Sequence, residues 1–291
     1  MLSSHFSPDR SRTGSDLMNV FWIFDEYTDV EEEDGVTEMG EILMDGLLHP
    51  EKPRPSEECP LGEMARQFWA LGRQTSSSMA ERHLLEDMQH YVNGVIQEAQ
   101  DRGHNRVRSS EEYWRIRRAA SGCYPTFTLI ELELDFPEEV YRHPALEKLR
   151  ECAMYSIVVV NDIFSYNIER ARGHGLHNLV TVIMFERDLS PAAAVNWIVE
   201  WHERAAVQEF ITVRARLPSW NPHIDSQVAK YVNGLGYWSV DIRKTREVVM
   251  LPRVHPNSSR SASNRKDVDE KHSVAAMQIR RDLMKMKESR E

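Results

Sequence analysis

Asn161, Ser165 and Glu169 recur at four-residue intervals inside one of the most apolar stretches of this 291-residue chain. Residues four apart on an α-helix stand one above another. The three therefore place an amide oxygen, a hydroxyl and a carboxylate in a single row. Ile157 to Val160 and Ile163 mark the same helix as buried. Asparagine and serine cap helices well but are not favoured in mid-helix, and a solvated face does not sit among such neighbours. The fold has to bring oxygen atoms into its interior, and a set made of oxygens alone suits a hard cation.

A second polar strip, Asp25-Glu26-Tyr27-Thr28-Asp29, follows directly on the apolar run Val20-Phe21-Trp22-Ile23-Phe24. Asp25 and Asp29 share one helical face. Burying that face with unpaired carboxylates costs several kcal/mol, a cost that a bound cation offsets. The plainer alternative is a solvated acidic loop continued by Glu31-Glu32-Glu33-Asp34, and on this strip alone the two stay open.

Between glycines and prolines the apolar residues recur at helical spacing. Helices are predicted over 17–29, 37–48, 61–71, 79–103, 110–121, 126–133, 145–171, 175–188, 191–217 and 224–250. Asp16 is the expected N-cap of the first, and the proline-rich stretch 51–60 is a connection. No β-branched alternating run of useful length interrupts them, so the fold class is all-α. Three divisions are expected: a flexible segment over 1–16, a helical domain over 17–255, and a polar, disordered tail over 256–291 that has no aromatic residue.

Composition removes several classes of function. A formal charge of −10 argues against nucleic acid, whose phosphates need clustered Lys and Arg. Cys59, Cys123 and Cys152 are too few and too scattered for a disulfide framework or a zinc site. Residues 1–16 carry no apolar core of a secretory signal. No run approaches the ~20 apolar residues of a membrane span. A cytoplasmic protein without membrane insertion is expected, a monomer or a homodimer acting on a small molecule.

Asp-Glu-x-x-Asp at 25–29 and Asn-Asp-x-x-Ser-x-x-x-Glu at 161–169 resemble the two metal motifs of class I terpene synthases. The segments FWIFDEYTDVEE, ARQFW, YWRIRRAASG, NDIFSYNIE, HNLVTVIM and YVNGLG resemble the sesquiterpene synthases of basidiomycete fungi over about 17–255. The resemblance implies a class I helical bundle around a central cavity. It implies Mg²⁺-dependent ionisation and cyclisation of farnesyl diphosphate, a lyase reaction, with three Mg²⁺ ions (Mn²⁺ as an alternative) and a product of the protoilludene type. Asp25, supported by Glu26 and Asp29, would hold two of the ions, and Asn161, Ser165 and Glu169 the third. Arg118, 43 positions before Asn161, resembles the family's diphosphate-sensing arginine, with Arg117 as the alternative. Phe21, one turn before Asp25, would face the carbocation, with Phe127, Phe164 and Trp238 as weaker candidates.

Two departures from the family pattern stand out. Family members carry about two further helices before the Asp-rich motif, whereas 24 residues precede Asp25 here. After Tyr231-Val232-Asn233-Gly234-Leu235-Gly236 the family has an Arg-Tyr pair directed at the diphosphate. This chain runs from Ser239 almost directly to Asp241, leaving Arg243 and Lys244 as the charges in that place. Two alternative functions follow: an impaired relative that only binds diphosphate, or a chain-elongating prenyltransferase.

Overall fold

The computed structural model describes residues 8–104, 106–172 and 175–238, and among them there is no strand. Twelve α-helices are described: α1 Pro8–Thr28, α2 Glu33–Leu48, α3 Pro60–Gly72, α4 Ser78–Gly103, α5 Ser110–Ala120 and α6 Cys123–Glu131 precede α7 Glu138–Tyr141, α8 Pro144–Arg172, α9 Leu179–Arg187, α10 Pro191–His202, α11 Glu209–Ala215 and α12 Pro222–Trp238. A 3₁₀ turn, Gly175–His177, precedes α9, and a π segment, Glu203–Gln208, joins α10 to α11.

Local chemistry sets many of the boundaries. Ser109 and Glu112 form a reciprocal capping box at the start of α5. Ser77 caps α4 by accepting from the Ala80 amide at 3.1 Å, and Asn178 caps α9 by accepting from Val180 at 2.9 Å. Pro60 and Pro191 stand in the first turns of α3 and α10, where a missing N–H costs nothing. Gly122 separates α5 from α6 in the left-handed region, at φ 66°. A side chain there would be strained and would also sit 3.2 Å from the Phe21 ring, so glycine is required twice over.

The middle of the core is α8, which packs against α6, α9, α10, α11 and α12. Leu146, Leu149, Cys152, Ala153, Val158 and Val159 on it are fully or almost fully buried. Each buried leucine contributes about 1.5–3 kcal/mol. In the other half of the bundle, α1 lies on α2, α3 and α6, and α4 lies on α2, α5 and α6. The α4–α5 approach is close: a Cβ on Gly94 would stand 2.6 Å from the Ala120 amide nitrogen.

The observed elements differ from expectation in several places. The segment expected to be flexible up to Asp16 is instead helical from Pro8, because Thr13 and Leu17 are buried and extend α1 by two turns. The stretch 175–188 divides at Asn178, whose side chain caps α9. The expected helix 191–217 holds a π segment, beside which His202 is buried and within 3.0 Å of Ser156 Oγ. The single turn of α7 was too short to show a period. The polar tail over 256–291 lies outside the described residues. Among the described residues no helix is long and apolar enough to cross a membrane.

Candidate active site

The last two turns of α1 and the middle of α8 face one cavity of about 510 Å³. Asp25 enters from α1 and Asp29 from just past its end, and Asn161 and Glu169 enter from α8. From α4 come Tyr91, Glu98 and Arg102; from α5 and the break after it come Arg117, Ala120 and Gly122; His177 closes one side. Phe21, Ile157, Val158 and Cys123 supply an apolar region. Phe21 is itself nearly buried and meets the Tyr91 ring edge-on, with centroids 4.8 Å apart.

The electrostatics of this wall favour a cation. The Tyr91 hydroxyl donates to Asp25 Oδ1 at 2.9 Å. Solvent reaches the Asp25 carboxyl through the cavity, yet protein atoms crowd it on the other sides. That desolvation, with the charges of Asp29 and Glu98 adding to it, pushes Asp25 up to about 7 despite the Tyr91 bond. Glu98 is also raised, by burial first. Arg117, and Arg102 beside Glu98, offset this crowding of carboxyl groups only in part, since Asp25 and Glu98 both stay raised.

Opposite them Asp162 holds the site together. Its carboxylate accepts from the Tyr113 hydroxyl, from the Leu179 amide at 2.6 Å and from Arg117 Nη2 at 3.2 Å. Asn178 Nδ2 donates both to the Asp162 carbonyl at 2.8 Å and to Glu169 Oε2 at 3.0 Å. One aspartate thus ties α5, α8 and the start of α9 together. Burial disfavours the Arg117 charge, but Asp162, Tyr113 and Glu98 together outweigh it and keep the guanidinium protonated. Glu98 stands 3.7 Å from Arg117 on the other side, and Arg117 Nε is buried without a partner. The arginine is a fixed positive charge with a hydrogen-bond donor still uncommitted.

The residues singled out in the sequence divide between this cavity and elsewhere. Asp25, Asp29, Asn161, Glu169 and Phe21 line it. Ser165 stands one turn from both Asn161 and Glu169 on α8, outside the lining, and its Oγ is buried without a partner. Glu26 does not reach the cavity: it is exposed, because adjacent helical residues point about 100° apart. The favoured arginine is corrected in the same way. Arg118 lines a different cavity and stacks 5.2 Å over the Tyr124 ring, while Arg117 enters this one. Phe127 is core and Phe164 is half exposed. The Trp238 side chain, Arg243 and Lys244 lie outside what the structure describes. Tyr91, Glu98, Tyr113, His177 and Asn178 were not anticipated. His177 and Asn178, in HNLVTVIM, and Tyr113, in YWRIRRAASG, had a local signal; Tyr91 and Glu98 had none.

The donor set fits a hard divalent cation. Asp25, Asp29, Asn161 and Glu169 offer oxygens only, and the Ser165 hydroxyl is a buried oxygen in want of a partner. Among the described residues no group of three or more His, Cys, Asp or Glu is placed to hold an ion. A cation here has to draw on amide and hydroxyl oxygens as well, which the α8 row supplies.

Comparison with known proteins adds an independent line. Residues 16–208 match the family described as terpene synthase family 2, C-terminal metal binding. Sesquiterpene synthase 9 of Postia placenta is 41% identical over 234 residues, covering 80% of this chain and 68% of that protein. A Delta(6)-protoilludene synthase of Stereum hirsutum is 40% identical over 228 residues, 78% of this chain and 62% of that one. The chain thus spans about two thirds of the length of these relatives. Among solved structures, germacradien-4-ol synthase from Streptomyces citricolor superposes with a TM-score of 0.69 at 20% identity, over 82% of this chain and 78% of that one. Linalool/nerolidol synthase from Streptomyces clavuligerus gives 0.71 at 19% identity, over 81% of each chain. At that identity the likeness shows the fold.

Proposed function

The chain belongs to terpene synthase family 2, an all-α family that uses divalent metal, and on that premise we propose that it ionises farnesyl diphosphate and cyclises the resulting cation to a sesquiterpene hydrocarbon. One observation carries the reading. The oxygen-bearing faces of α1 and α8 meet across one cavity, which Arg117 enters from α5 with its Nε buried and uncommitted.

Asp25 and Asp29 on one side, with Asn161, Ser165 and Glu169 on the other, would hold Mg²⁺, three ions in the full complement and Mn²⁺ as a substitute. Bound there, the ions supply the positive charge that a departing diphosphate needs. The chain's own groups do the rest. Arg117, anchored by Asp162, donates charge-assisted hydrogen bonds to the leaving diphosphate as its charge develops. Its orientation is fixed before substrate arrives, so no reorganisation is needed during the reaction. Tyr91 holds Asp25 in place through the 2.9 Å bond. Phe21, wedged against Tyr91 and Gly122, turns an aromatic surface to the apolar part of the cavity, where a carbocation gains about 2 kcal/mol or more from a dry ring. Ile157 and Val158 on α8 line that part and disfavour water, which would quench the cation.

The α8 row is asparagine, serine and glutamate rather than a second aspartate-rich strip, which supports cyclisation over chain elongation. We read the product as of the protoilludene type, the reaction for which several relatives are named. The buried, unpaired thiols of Cys59, Cys123 and Cys152 support a reducing, cytosolic setting.

Single-turnover incubation with farnesyl diphosphate and Mg²⁺, followed by gas chromatography, tests the reading. A cyclic C15 hydrocarbon that disappears with chelator is the expected result. Metal-dependent binding of diphosphate without any hydrocarbon would identify a binding-only relative, and a longer prenyl diphosphate an elongating enzyme; either overturns the proposal.

A further inference from the structure

A second cavity, of about 430 Å³, opens between α4, α5, α6, α7 and the start of α8. Helix α5 sends Arg117 and Ala120 to the first cavity and Arg118 and Ala119 to the second, so the two lie on different sides of the close α4–α5 contact. None of the residues assigned to the reaction lines the second one.

This cavity is built from polar groups that have no partner. The Arg150 side chain is only 3% exposed, and its guanidinium stacks 4.0 Å over the Tyr141 ring. Its Nη2 donates to the Tyr141 carbonyl at 3.1 Å and stands 3.9 Å from Glu147, and its Nη1 is buried with no hydrogen-bond partner. The Tyr124 hydroxyl and Asp87 Oδ2 are likewise buried without partners. Asp87, Arg118 and Arg150 all lie close enough to Tyr124 to act on its phenol electrostatically. Arg142, also in the lining, is committed, with Nη2 on Glu86 at 2.7 Å and Nε on Glu138 at 2.8 Å. Arg118 stacks on Tyr124, and among the described residues it has no ion pair. Buried polar atoms are rarely left unmatched, and three around one space define the complement of a ligand. Two guanidinium groups and a phenol ask for an oxyanion. The Asp87 carboxylate beside them asks for a donor on the same ligand.

We infer that the second cavity binds a small phosphate oxyanion that still carries a hydroxyl, free hydrogen phosphate or hydrogen diphosphate. Its P–O oxygens accept from Arg150 Nη1, Arg118 and the Tyr124 hydroxyl, and its P–OH donates to Asp87 Oδ2. Sulfate and carboxylates have no such donor and face repulsion from Asp87. Cations are repelled by Arg118 and Arg150. A neutral polyol would leave the Arg118 charge without a counter-ion. The inference does not rest on the function proposed for the Asp25 cavity, and its failure would leave that reading standing.

Calorimetric titration of the full chain, in chelator so that no metal-dependent binding contributes, tests it with phosphate, diphosphate and sulfate. Burial first, then the Glu131 charge, pushes Asp87 up to about 7, with Arg150 and His83 pulling it back and Glu86 adding to the rise. The titrations are therefore run at pH 8, where Asp87 is ionised. The expected result is one phosphate or diphosphate per chain, with sulfate about tenfold weaker or worse, the value of one charged hydrogen bond. The tighter of the two phosphates identifies the source. Arg118→Gln, an exposed position, should weaken phosphate about fivefold or more. Asp87→Asn should bring sulfate to within about threefold of phosphate, since an amide donates to either anion. Arg117→Lys, in the other cavity, should leave phosphate affinity within about twofold. No saturable phosphate binding below about 10 mM, a weaker limit than useful recognition, overturns the inference. So does sulfate binding equal to phosphate in the parent chain, an unchanged Arg118→Gln, or a signal lost in Arg117→Lys.

Discussion

Replacing Asp162 by asparagine removes a charge while keeping shape, and the structure gives the size of the effect. The carboxylate accepts from three donors, Tyr113 Oη, the Leu179 amide at 2.6 Å and Arg117 Nη2 at 3.2 Å. An asparagine has one acceptor oxygen, and its NH₂ turns a donor toward whichever group is left over. Arg117 would lose its nearest anion and keep only Glu98, 3.7 Å away and itself pushed by burial toward its neutral form. Removing one partner of a buried pair costs about 3–5 kcal/mol because the other charge stays behind. Against a typical total of about 5–15 kcal/mol, and at about 2–4 °C per kcal/mol for a chain of this size, Tm should fall by roughly 6–20 °C. The cycle is completed with Arg117→Met, which should regain about 2 kcal/mol or more in the Asp162→Asn background by removing the stranded charge. Urea and thermal unfolding of the four proteins measure it. An Asp162→Asn protein within about 1 kcal/mol of the parent, or a double variant no more stable than the single one, would refute the assignment of Asp162 as the anchor.

Three further outcomes follow from the same geometry. In metal-dependent binding of farnesyl diphosphate, Arg117→Lys, which keeps the charge but loses the planar fork, should weaken affinity about tenfold, whereas Arg118→Gln should change it less than twofold; calorimetry with Mg²⁺ reverses the assignment if the order is the opposite. Gly94→Ala places a Cβ 2.6 Å from the Ala120 nitrogen and 2.8 Å from the Ala119 Cβ, and overpacking of this kind should cost about 1–3 kcal/mol in urea unfolding. His177 is held down to about 4 by burial, so above pH 6.5 it is neutral folded or unfolded and contributes nothing to the pH dependence. As pH falls from 6.5 to 4 the unfolded chain takes the proton first, and the folded state loses up to about 3 kcal/mol. Asp25 and Asp87, both raised to about 7, change stability in the opposite direction as pH falls. The difference between parent and His177→Gln stability curves isolates the histidine, and parallel curves over that window would contradict its burial as a neutral ring.

The helices and the row on α8 were legible in the sequence because both are matters of local period. Asn161, Ser165 and Glu169 share a face in any α-helix. Neighbours such as Ile157 and Val158 mark that face as buried, whereas in the structure Ile157, Ser165 and Glu169 are half-buried and Asn161 is exposed, because the face opens on the cavity. The same locality explains the misses. Arg117 and Arg118 are chemically identical and adjacent, about 100° apart around α5. Which of them meets Asp25 depends on how α5 is turned, and that is set by Gly94 and Ala119 in the contact with α4, 25 positions away from one another. Glu26 fell from the site for the same reason on α1. Tyr91 and Glu98 had no motif of their own, since a tyrosine or glutamate on an amphipathic helix is unremarkable until a charged or polar group from another element arrives beside it. Asp162 stood inside the 161–169 motif, but its anchoring of Arg117 needed the tertiary contact. The start of α1 was misread because the stretch Pro8 to Asp16 is mostly polar in sequence, and only the packing of α1 against α3 shows why Thr13 and Leu17 hold those turns in place. Spacing along one helix is fixed by backbone geometry alone. The rotation of that helix about its own axis is fixed by side chains that the chain brings together only when it folds.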